Sequence, residues 1–246
     1  MRLRATGAAA ALGVLLTATV RPAGAAGQAV PAPGGPSAIV IPAERGAPIE
    51  ADVYGGGPRG VLLLHGGRFD RTGWKPQATA LAGAGFRVVA IDFRSAAERR
   101  DGRDGTCGYD AVCLGRTALA AVRYLRATGA TSVAIVGASL GGGAAAQAAI
   151  DAEPGQIDRI VLLAHMTIEH PERLRVPALF IVARDDANAA GPRLPGIRAQ
   201  YEKATGPKEL VVVDGDAHAQ FLFATPQGAE VLQRILRFLD SAPPAR

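Results

Sequence analysis

Short apolar runs, rich in β-branched residues, recur along the chain and are apolar at nearly every position. Strands buried on both faces have this pattern, whereas half-exposed strands alternate apolar and polar residues. The six predicted strands are Gly60–Leu64, Arg87–Phe93, Ser132–Val136, Arg159–Leu163, Ala178–Val182 and Glu209–Val213. The four predicted helices are Gln77–Ala84, Leu114–Ala127, Gly141–Ile150 and Glu230–Leu239. This alternation predicts an α/β fold in which helices cover both faces of a parallel sheet.

The connections between these elements differ in length. Residues 68–76 and 94–113 are irregular and follow predicted strands, so both are expected over the carboxyl edge of the sheet, where open α/β sheets bind ligands. Segment 94–113 is the main candidate for a specificity element. Residues 165–176 are too few to form a cap domain, which disfavours a lipase with a mobile lid.

The first residues have the pattern of an export signal. Two arginines precede the apolar run Ala8–Val20, and the small-residue stretch Ala23–Ala26 follows it. These features predict a signal peptide over residues 1–25 and a secreted or periplasmic protein. A run of about 13 apolar residues is short for a bilayer span, so no stable membrane insertion is expected after cleavage. Residues 26–37 are rich in Pro, Gly and Ala and predict a flexible lead-in, followed by one domain over 38–246.

Composition narrows the class of protein. The chain has 246 residues, of which 48% are hydrophobic, enough for one domain with a sizeable core. It carries 27 basic and 22 acidic residues, and removal of Arg2, Arg4 and Arg21 with the leader leaves 24 against 22. This balance does not suggest a nucleic-acid-binding surface, which needs a clustered basic face. The oligomeric state does not follow from the sequence.

The chain contains two cysteines, Cys107 and Cys113, in a segment without clear helical or strand pattern. In an oxidising compartment two close cysteines favour a disulfide, here a local staple of the loop. Free thiols are the alternative. A metal site would need further Cys or His residues at ligand spacing, and none is nearby.

The sequence Gly137-Ala138-Ser139-Leu140-Gly141 lies between a predicted strand and a predicted helix. G-x-S-x-G in this context predicts a sharp turn that raises the serine hydroxyl above the sheet edge, at the positive end of a helix. Ser139 is therefore the candidate nucleophile. The alternative is an ordinary glycine-rich turn between strand and helix.

A serine nucleophile needs a base that a third group orients. In the α/β-hydrolase order the acid and then the histidine follow the nucleophile. His218 follows the last predicted strand and is the candidate base. His165, at the end of an earlier strand, is the alternative, and His170 is expected to be solvated.

The candidate acid follows the strand that precedes the last one. Asp185 and Asp186 both lie there, and Asp186 is preferred because it is farther past the strand end. Asp214 and Asp216 are close to His218 in sequence, so they are expected to shape its turn.

An oxyanion hole requires two backbone amides that converge on the carbonyl oxygen. One is expected from Leu140, the residue after the nucleophile, and the other from Gly67, with Arg68 as the alternative. His65 precedes the nucleophile in the chain, and we expect it to brace this loop rather than act as a base.

These four ordered motifs resemble the α/β-hydrolase superfamily, in particular its small dienelactone-hydrolase-like bacterial branch. The likeness extends over about residues 55–240. It implies a mostly parallel eight-stranded sheet and hydrolysis through an acyl-enzyme, with no metal or cofactor. Two positions depart from the branch. Ser139 replaces the cysteine nucleophile of true dienelactone hydrolases, and Ser95 replaces a frequent glycine after Asp92-Phe93-Arg94.

The sequence thus predicts a serine hydrolase that cleaves a carboxylic ester of a small or medium-sized substrate. A thioesterase, an acyltransferase and a peptidase use the same machinery and remain alternatives. A catalytically silent hydrolase fold that binds a ligand is the alternative from another class. Haloalkane dehalogenase and epoxide hydrolase chemistry is disfavoured, because it needs an aspartate in place of Ser139.

Overall fold

The computed structural model describes residues 35–43, 48–95, 98, 101–102 and 106–241. The predicted signal peptide and residues 26–34 of the predicted lead-in lie outside the described residues. The first described strand begins at Ser37, the last residue of that lead-in.

The main sheet has eight strands: β1 Ser37–Ile41, β2 Ile49–Tyr54, β3 Arg59–Leu64, β4 Arg87–Ile91, β5 Ser132–Ala138, β6 Arg159–Leu163, β7 Ala178–Ala183 and β10 Lys208–Val213. A small hairpin, β8 Ala187–Asn188 with β9 Gly191–Pro192, lies outside it. Five α-helices are described: α1 Lys75–Gly83, α2 Ala111–Ala127, α3 Leu140–Asp151, α4 Leu194–Lys203 and α5 Gly228–Asp240.

The strands of the main sheet follow the order β1-β2-β4-β3-β5-β6-β7-β10. All neighbours from β4 to β10 pair in parallel, whereas β2 is antiparallel to both β1 and β4. The predicted α/β fold with a mostly parallel eight-stranded sheet is therefore confirmed. Parallel strands end at the same edge, so β5, β7 and β10 bring the segments that follow them to one side of the sheet.

Burial explains why these strands were recognisable. Every residue of β6 and β7 is buried, and β3 and β5 have one half-buried residue each, at the strand start. The six predicted strands and four predicted helices are present, with ends shifted by a few residues. Strand β4 ends at Ile91, so Phe93 lies beyond the strand in which it was predicted.

Two elements of the sheet and one helix were not predicted. Strand β2 contains the charged residues Glu50 and Asp52, which contradict the pattern of a buried strand. Arg71 pairs with both carboxylates, so a residue distant in sequence compensates for burying them. Helix α4 has a proline in its first turn, where proline is tolerated, but its short polar sequence gave little helical signal.

The connection from β6 to β7 confirms that the fold has no cap domain. Residues 164–177 contain one short 3-10 turn, Pro171–Arg173. In the part of the chain that the structure describes, no helix has the length and apolar character needed to cross a bilayer.

Candidate active site

Ser139 occupies the turn between β5 and α3 in a backbone conformation that non-glycine residues rarely adopt, with φ 50° and ψ −110°. Such strain persists where surrounding contacts enforce it. A Cβ at Gly137 would collide with the backbone of Gly141, and one at Gly141 would collide with the Leu64 carbonyl. The turn therefore requires glycine at both positions, as the G-x-S-x-G pattern suggested.

A chain of two hydrogen bonds joins Ser139, His218 and Asp186. The imidazole Nδ1 of His218 lies 2.8 Å from Asp186 Oδ2, and Nε2 lies 2.8 Å from Ser139 Oγ. A carboxylate only accepts hydrogen bonds, so Nδ1 is the protonated nitrogen of the neutral ring. The Ser139 hydroxyl then donates to Nε2. This geometry prepares the serine to lose its proton to His218.

The Asp186 carboxylate is almost completely buried, at 1% side-chain exposure. Its second oxygen, Oδ1, lies 3.4 Å from the Nε of Arg193. The Arg193 amide also donates to the Asp186 carbonyl at 2.8 Å. The hairpin of β8 and β9 thus brings Arg193 back to Asp186, which precedes the hairpin. The Arg193 guanidinium compensates for the buried negative charge of Asp186.

The other candidate carboxylates are not part of this chain of hydrogen bonds. Asp185 is exposed to solvent, although it follows the same strand as Asp186. Asp214 is also exposed and pairs with Arg184 at 3.3 Å, and Asp216 is exposed in the turn before the histidine.

The remaining histidines after Ser139 lie apart from its hydroxyl. His165 is buried, and its Nδ1 donates to the Met166 carbonyl at 2.7 Å. Burial lowers the pKa of His165 to about 4, because desolvation disfavours the charged ring. His170 is exposed and lies 3.2 Å from Glu172.

The two residues whose amides are predicted to form the oxyanion hole line one small cavity. Gly67 and Leu140 both contribute to a space of about 20 Å³ next to the nucleophile turn. Leu140 is the first residue of helix α3, so its amide is one of those that have no partner within the helix. Among the described residues no acceptor occupies the amide of either Gly67 or Leu140. Both are therefore available to a ligand oxygen.

His65 braces the loop that contains Gly67. Its Nδ1 donates to the Gly66 carbonyl at 2.8 Å, and its Nε2 accepts from the Phe93 amide at 3.2 Å. Phe69 also donates to the Gly66 carbonyl. Because C=O and N–H of a trans peptide point in opposite directions, these contacts turn the Gly67 amide away from His65. Burial lowers the pKa of His65, which favours this neutral ring.

Gln220 is a site residue that the sequence analysis missed. Its Oε1 accepts a hydrogen bond of 2.8 Å from the Gly66 amide, and its side chain is buried. Gln220 lies two residues after His218, so this bond ties the histidine loop to the oxyanion loop. A glutamine in a loop has no distinctive sequence signal, and only the contact identifies it.

Aromatic side chains surround the mouth of the site. Phe221 is 42% exposed, packs on Phe69 with ring centroids 5.0 Å apart, and lies 5.9 Å from the Arg68 guanidinium. Tyr109 is 64% exposed, and its ring lies beside Gly67. Two exposed aromatic rings therefore lie on the segments that contain His218 and adjoin Gly67.

Cys107 and Cys113 are joined by a disulfide. The predicted staple differs from the structure in one respect: Cys113 lies in the first turn of α2, not in a loop. The disulfide therefore ties the segment before the helix to the helix itself. Tyr109 lies inside this ring of residues.

Among the described residues, no group of three or more His, Cys, Asp and Glu side chains could hold a metal ion. The site brings together a serine hydroxyl, an imidazole, a buried carboxylate and two amides without a protein acceptor among the described residues. Such an arrangement can form and hydrolyse an acyl-enzyme.

Comparisons with known proteins show which proteins the chain is similar to. The chain is 29% identical over 196 residues to RutD of Variovorax paradoxus (strain S110), which is named as a carbamate hydrolase. The match covers 79% of this chain and 63% of RutD, less than two thirds of its length.

Two solved structures have the same fold. Dienelactone hydrolase from Anabaena variabilis ATCC 29413 superposes with a TM-score of 0.70 at 23% identity, over 84% of this chain and 97% of that one. Carboxylesterase CesB (YbfK) from Bacillus subtilis gives 0.62 at 16% identity, over 84% and 92%. The resemblance inferred from the sequence is confirmed at the level of the fold. The model described as the alpha/beta hydrolase family matches residues 61–245, most of the chain, and the protein therefore belongs to the alpha/beta hydrolase family.

Proposed function

We propose that this protein is a serine hydrolase that cleaves carboxylic esters of small or medium-sized substrates through an acyl-enzyme. The observation that supports it most is the chain of two 2.8 Å contacts from Ser139 Oγ through His218 to Asp186. The strained turn at Ser139 and the available amides of Gly67 and Leu140 are further support, because each has a separate use in acyl transfer.

In the first half of the reaction, Ser139 Oγ attacks the ester carbonyl carbon while His218 Nε2 accepts the hydroxyl proton. The carbonyl oxygen becomes an oxyanion, which the amides of Gly67 and Leu140 stabilise. Asp186 holds the imidazole in the productive orientation and stabilises its positive charge. The carbon–oxygen bond to the leaving group then breaks, and His218 donates its proton to the departing alcohol.

In the second half, water attacks the acyl-enzyme. His218 Nε2 now accepts a proton from the water, whose oxygen adds to the acyl carbon. Collapse of this second oxyanion breaks the bond to Ser139 Oγ, which regains a proton from His218. The products are the carboxylic acid and the free enzyme.

Labelling with a fluorophosphonate tests the proposal directly, because this probe reacts with activated serines. We expect the folded protein to be labelled at Ser139 and to hydrolyse p-nitrophenyl acetate. Absence of both labelling and hydrolysis would favour the alternative, a silent hydrolase fold that binds a ligand.

Carbamate hydrolysis is a second candidate, favoured by the likeness to RutD. A carbamate presents the same carbonyl to the nucleophile, so the proposed machinery would serve both reactions. Comparing kcat/KM for a p-nitrophenyl acetate and a p-nitrophenyl carbamate discriminates them. A thioesterase, an acyltransferase and a peptidase are tested in the same way, with the corresponding acyl donors and acceptors.

We also propose that the protein is exported after cleavage of residues 1–25. The disulfide between Cys107 and Cys113 supports this location, because structural disulfides persist in oxidising compartments. Mass spectrometry of the exported protein gives both the N-terminal residue and the number of free thiols. An uncleaved N-terminus in the cytoplasm would contradict the proposal.

A further inference from the structure

Two cavities meet at one phenyl ring near the proposed oxyanion hole. The small cavity of about 20 Å³ is lined by Gly67, Leu140, Tyr109 and Phe93. A second cavity of about 330 Å³ is also lined by Phe93 and contains none of the residues of the proposed triad. Phe93 therefore borders both spaces, and its ring packs edge-on against His65 at 5.1 Å between centroids.

The small cavity lies on the side of the site that would hold the acyl group. In the proposed mechanism His218 protonates the leaving group, so the leaving group must lie next to Nε2 of that ring. Among the described residues, those that line the small cavity include none from the loop that contains His218. That loop instead supplies Phe221, which packs against Phe69 and does not line this cavity.

The size of this cavity limits what can follow the carbonyl carbon. A space needs roughly 10–15 Å³ to hold one water molecule. The 20 Å³ next to Gly67 and Leu140 therefore accepts about one methyl-sized group. A longer acyl chain would have to displace Phe93 or Tyr109, or leave the cavity past the exposed ring of Tyr109.

We propose that the protein is selective for esters of acetic acid or of a similarly short acid, and that Phe93 sets this limit. The inference rests on the proposed function and specifies the substrate class of the same site. The limit on acyl length can be tested at Phe93, because removing its ring would join the small cavity to the larger one behind it.

Tyr109 forms the second wall, and its backbone is held from both sides. The Cys107–Cys113 disulfide encloses it. The Asp110 amide donates to the Cys107 carbonyl at 3.0 Å, and the Asp110 carboxylate caps helix α2 by accepting from the amide of Cys113. The outer side of the Tyr109 ring faces solvent, so removing this ring would open the small cavity outward.

The test compares kcat/KM for p-nitrophenyl acetate, butyrate and hexanoate. A hydrophobic pocket discriminates one methylene by about 10- to 200-fold. For the wild-type protein we expect at least a tenfold loss from acetate to butyrate and a further loss to hexanoate. In Phe93→Ala the ratio of butyrate to acetate should rise about tenfold or more, with a smaller rise in Phe93→Leu.

Two further variants make the result decisive. Tyr109→Ala should also raise the butyrate to acetate ratio, and the variant should fold because Tyr109 is exposed. Phe221→Ala is the matched control, since it removes an aromatic ring from the leaving-group side and should leave that ratio unchanged. Circular dichroism melting of each variant reports whether it is folded.

The outcomes separate this inference from the proposed function. Labelling of Ser139 together with equal hydrolysis of acetate and hexanoate would overturn the acyl-size limit and leave the serine hydrolase intact. Unchanged ratios in Tyr109→Ala and in folded Phe93 variants would do the same. Absence of labelling and of any hydrolysis would remove the proposed function, and the inference with it.

Discussion

Arg193 contacts Asp186 twice: its backbone amide donates a hydrogen bond of 2.8 Å to the Asp186 carbonyl, and its Nε forms an ion pair with Oδ1 at 3.4 Å. The other carboxylate oxygen, Oδ2, lies 2.8 Å from His218 Nδ1. The carboxylate therefore lies between a cation and the imidazole that it orients in the proposed mechanism. This contact distinguishes Asp186 from Asp185, which follows the same strand but is exposed.

Replacing Arg193 tests whether this contact positions the acid. We expect Arg193→Gln to lower kcat about tenfold with little change in KM, because the carboxylate can then rotate away from His218. The buried carboxylate would also lose its neighbouring cation, which should lower the free energy of unfolding. Arg198→Gln, an exposed change in the helix that begins directly after Arg193, is the control. Equal kinetics in the two variants would show that Arg193 has no positioning role.

Ser139→Ala tests the nucleophile. Removing the hydroxyl should lower kcat for ester hydrolysis by about 10⁶, to near background, as in other triad enzymes. The fold should be retained, since alanine fits a position whose neighbours already accept a Cβ. Steady-state kinetics and circular dichroism together check this expectation. A variant with a tenth of the wild-type kcat would require another nucleophile.

Asp186→Asn tests the acid. An amide in place of the carboxylate disturbs the tautomer of His218 and should lower kcat about 10⁴-fold. Asp185→Asn is the matched control and should have a much smaller effect, because that side chain is exposed. If the two effects were reversed, Asp185 would be the acid. Mild losses of similar size in both would direct attention to Asp214 or Asp216.

Gln220→Met tests the link between the histidine loop and the oxyanion loop. The Gly66 amide would lose its acceptor, and the adjoining Gly67 amide would be held less firmly. Removing a single oxyanion donor costs about 10²–10³ in kcat, so loosening one should cost less, about tenfold. KM should change little, since the oxyanion forms after binding. A rise in KM at constant kcat would instead indicate a substrate-binding role.

The buried ring of His165 should make the folded protein less stable in acid. Its folded pKa, about 4, lies below the ordinary value of about 6.5. The unfolded chain therefore takes up a proton first as the pH falls. The neutral ring's contribution is complete above about pH 6.5 and is lost towards pH 4, up to roughly 3 kcal/mol in the free energy of unfolding. Buried His65, whose pKa is also lowered, acts in the same direction.

Urea unfolding at several pH values measures this dependence. His165→Leu should flatten the decline between pH 6.5 and 4, because leucine does not titrate. His170→Gln is the control, since His170 is exposed and should leave the slope of the wild type unchanged. Identical slopes in the wild type and in His165→Leu would contradict the assignment of the pH dependence to this buried ring.

The sequence by itself determined the elements that depend on neighbouring residues, such as the buried strands and the turn at Ser139. Continuous apolar runs identified β3 to β7, because a strand buried on both faces tolerates few polar residues. The edge strand β10 is half-buried, and its apolar run Leu210–Val213 identified it. The pattern around Ser139 was informative for the same reason, since a strained turn packed against Leu64 leaves no room for side chains at Gly137 and Gly141. Chain order then indicated which loops reach the same sheet edge.

Contacts between distant residues were decided only by the tertiary structure. The sequence pattern did not predict strand β2, because its acidic residues are compensated by Arg71, which lies outside the strand. The contacts of Arg193 and Gln220 depend on how their loops close, and arginine or glutamine in a loop has no distinctive pattern. The position of Phe93 between the two cavities depends on which side chains come into contact when the chain folds. The sequence therefore shows which residues each strand, helix or turn needs. The contacts between distant segments form only when the chain has folded, so only the tertiary structure shows them.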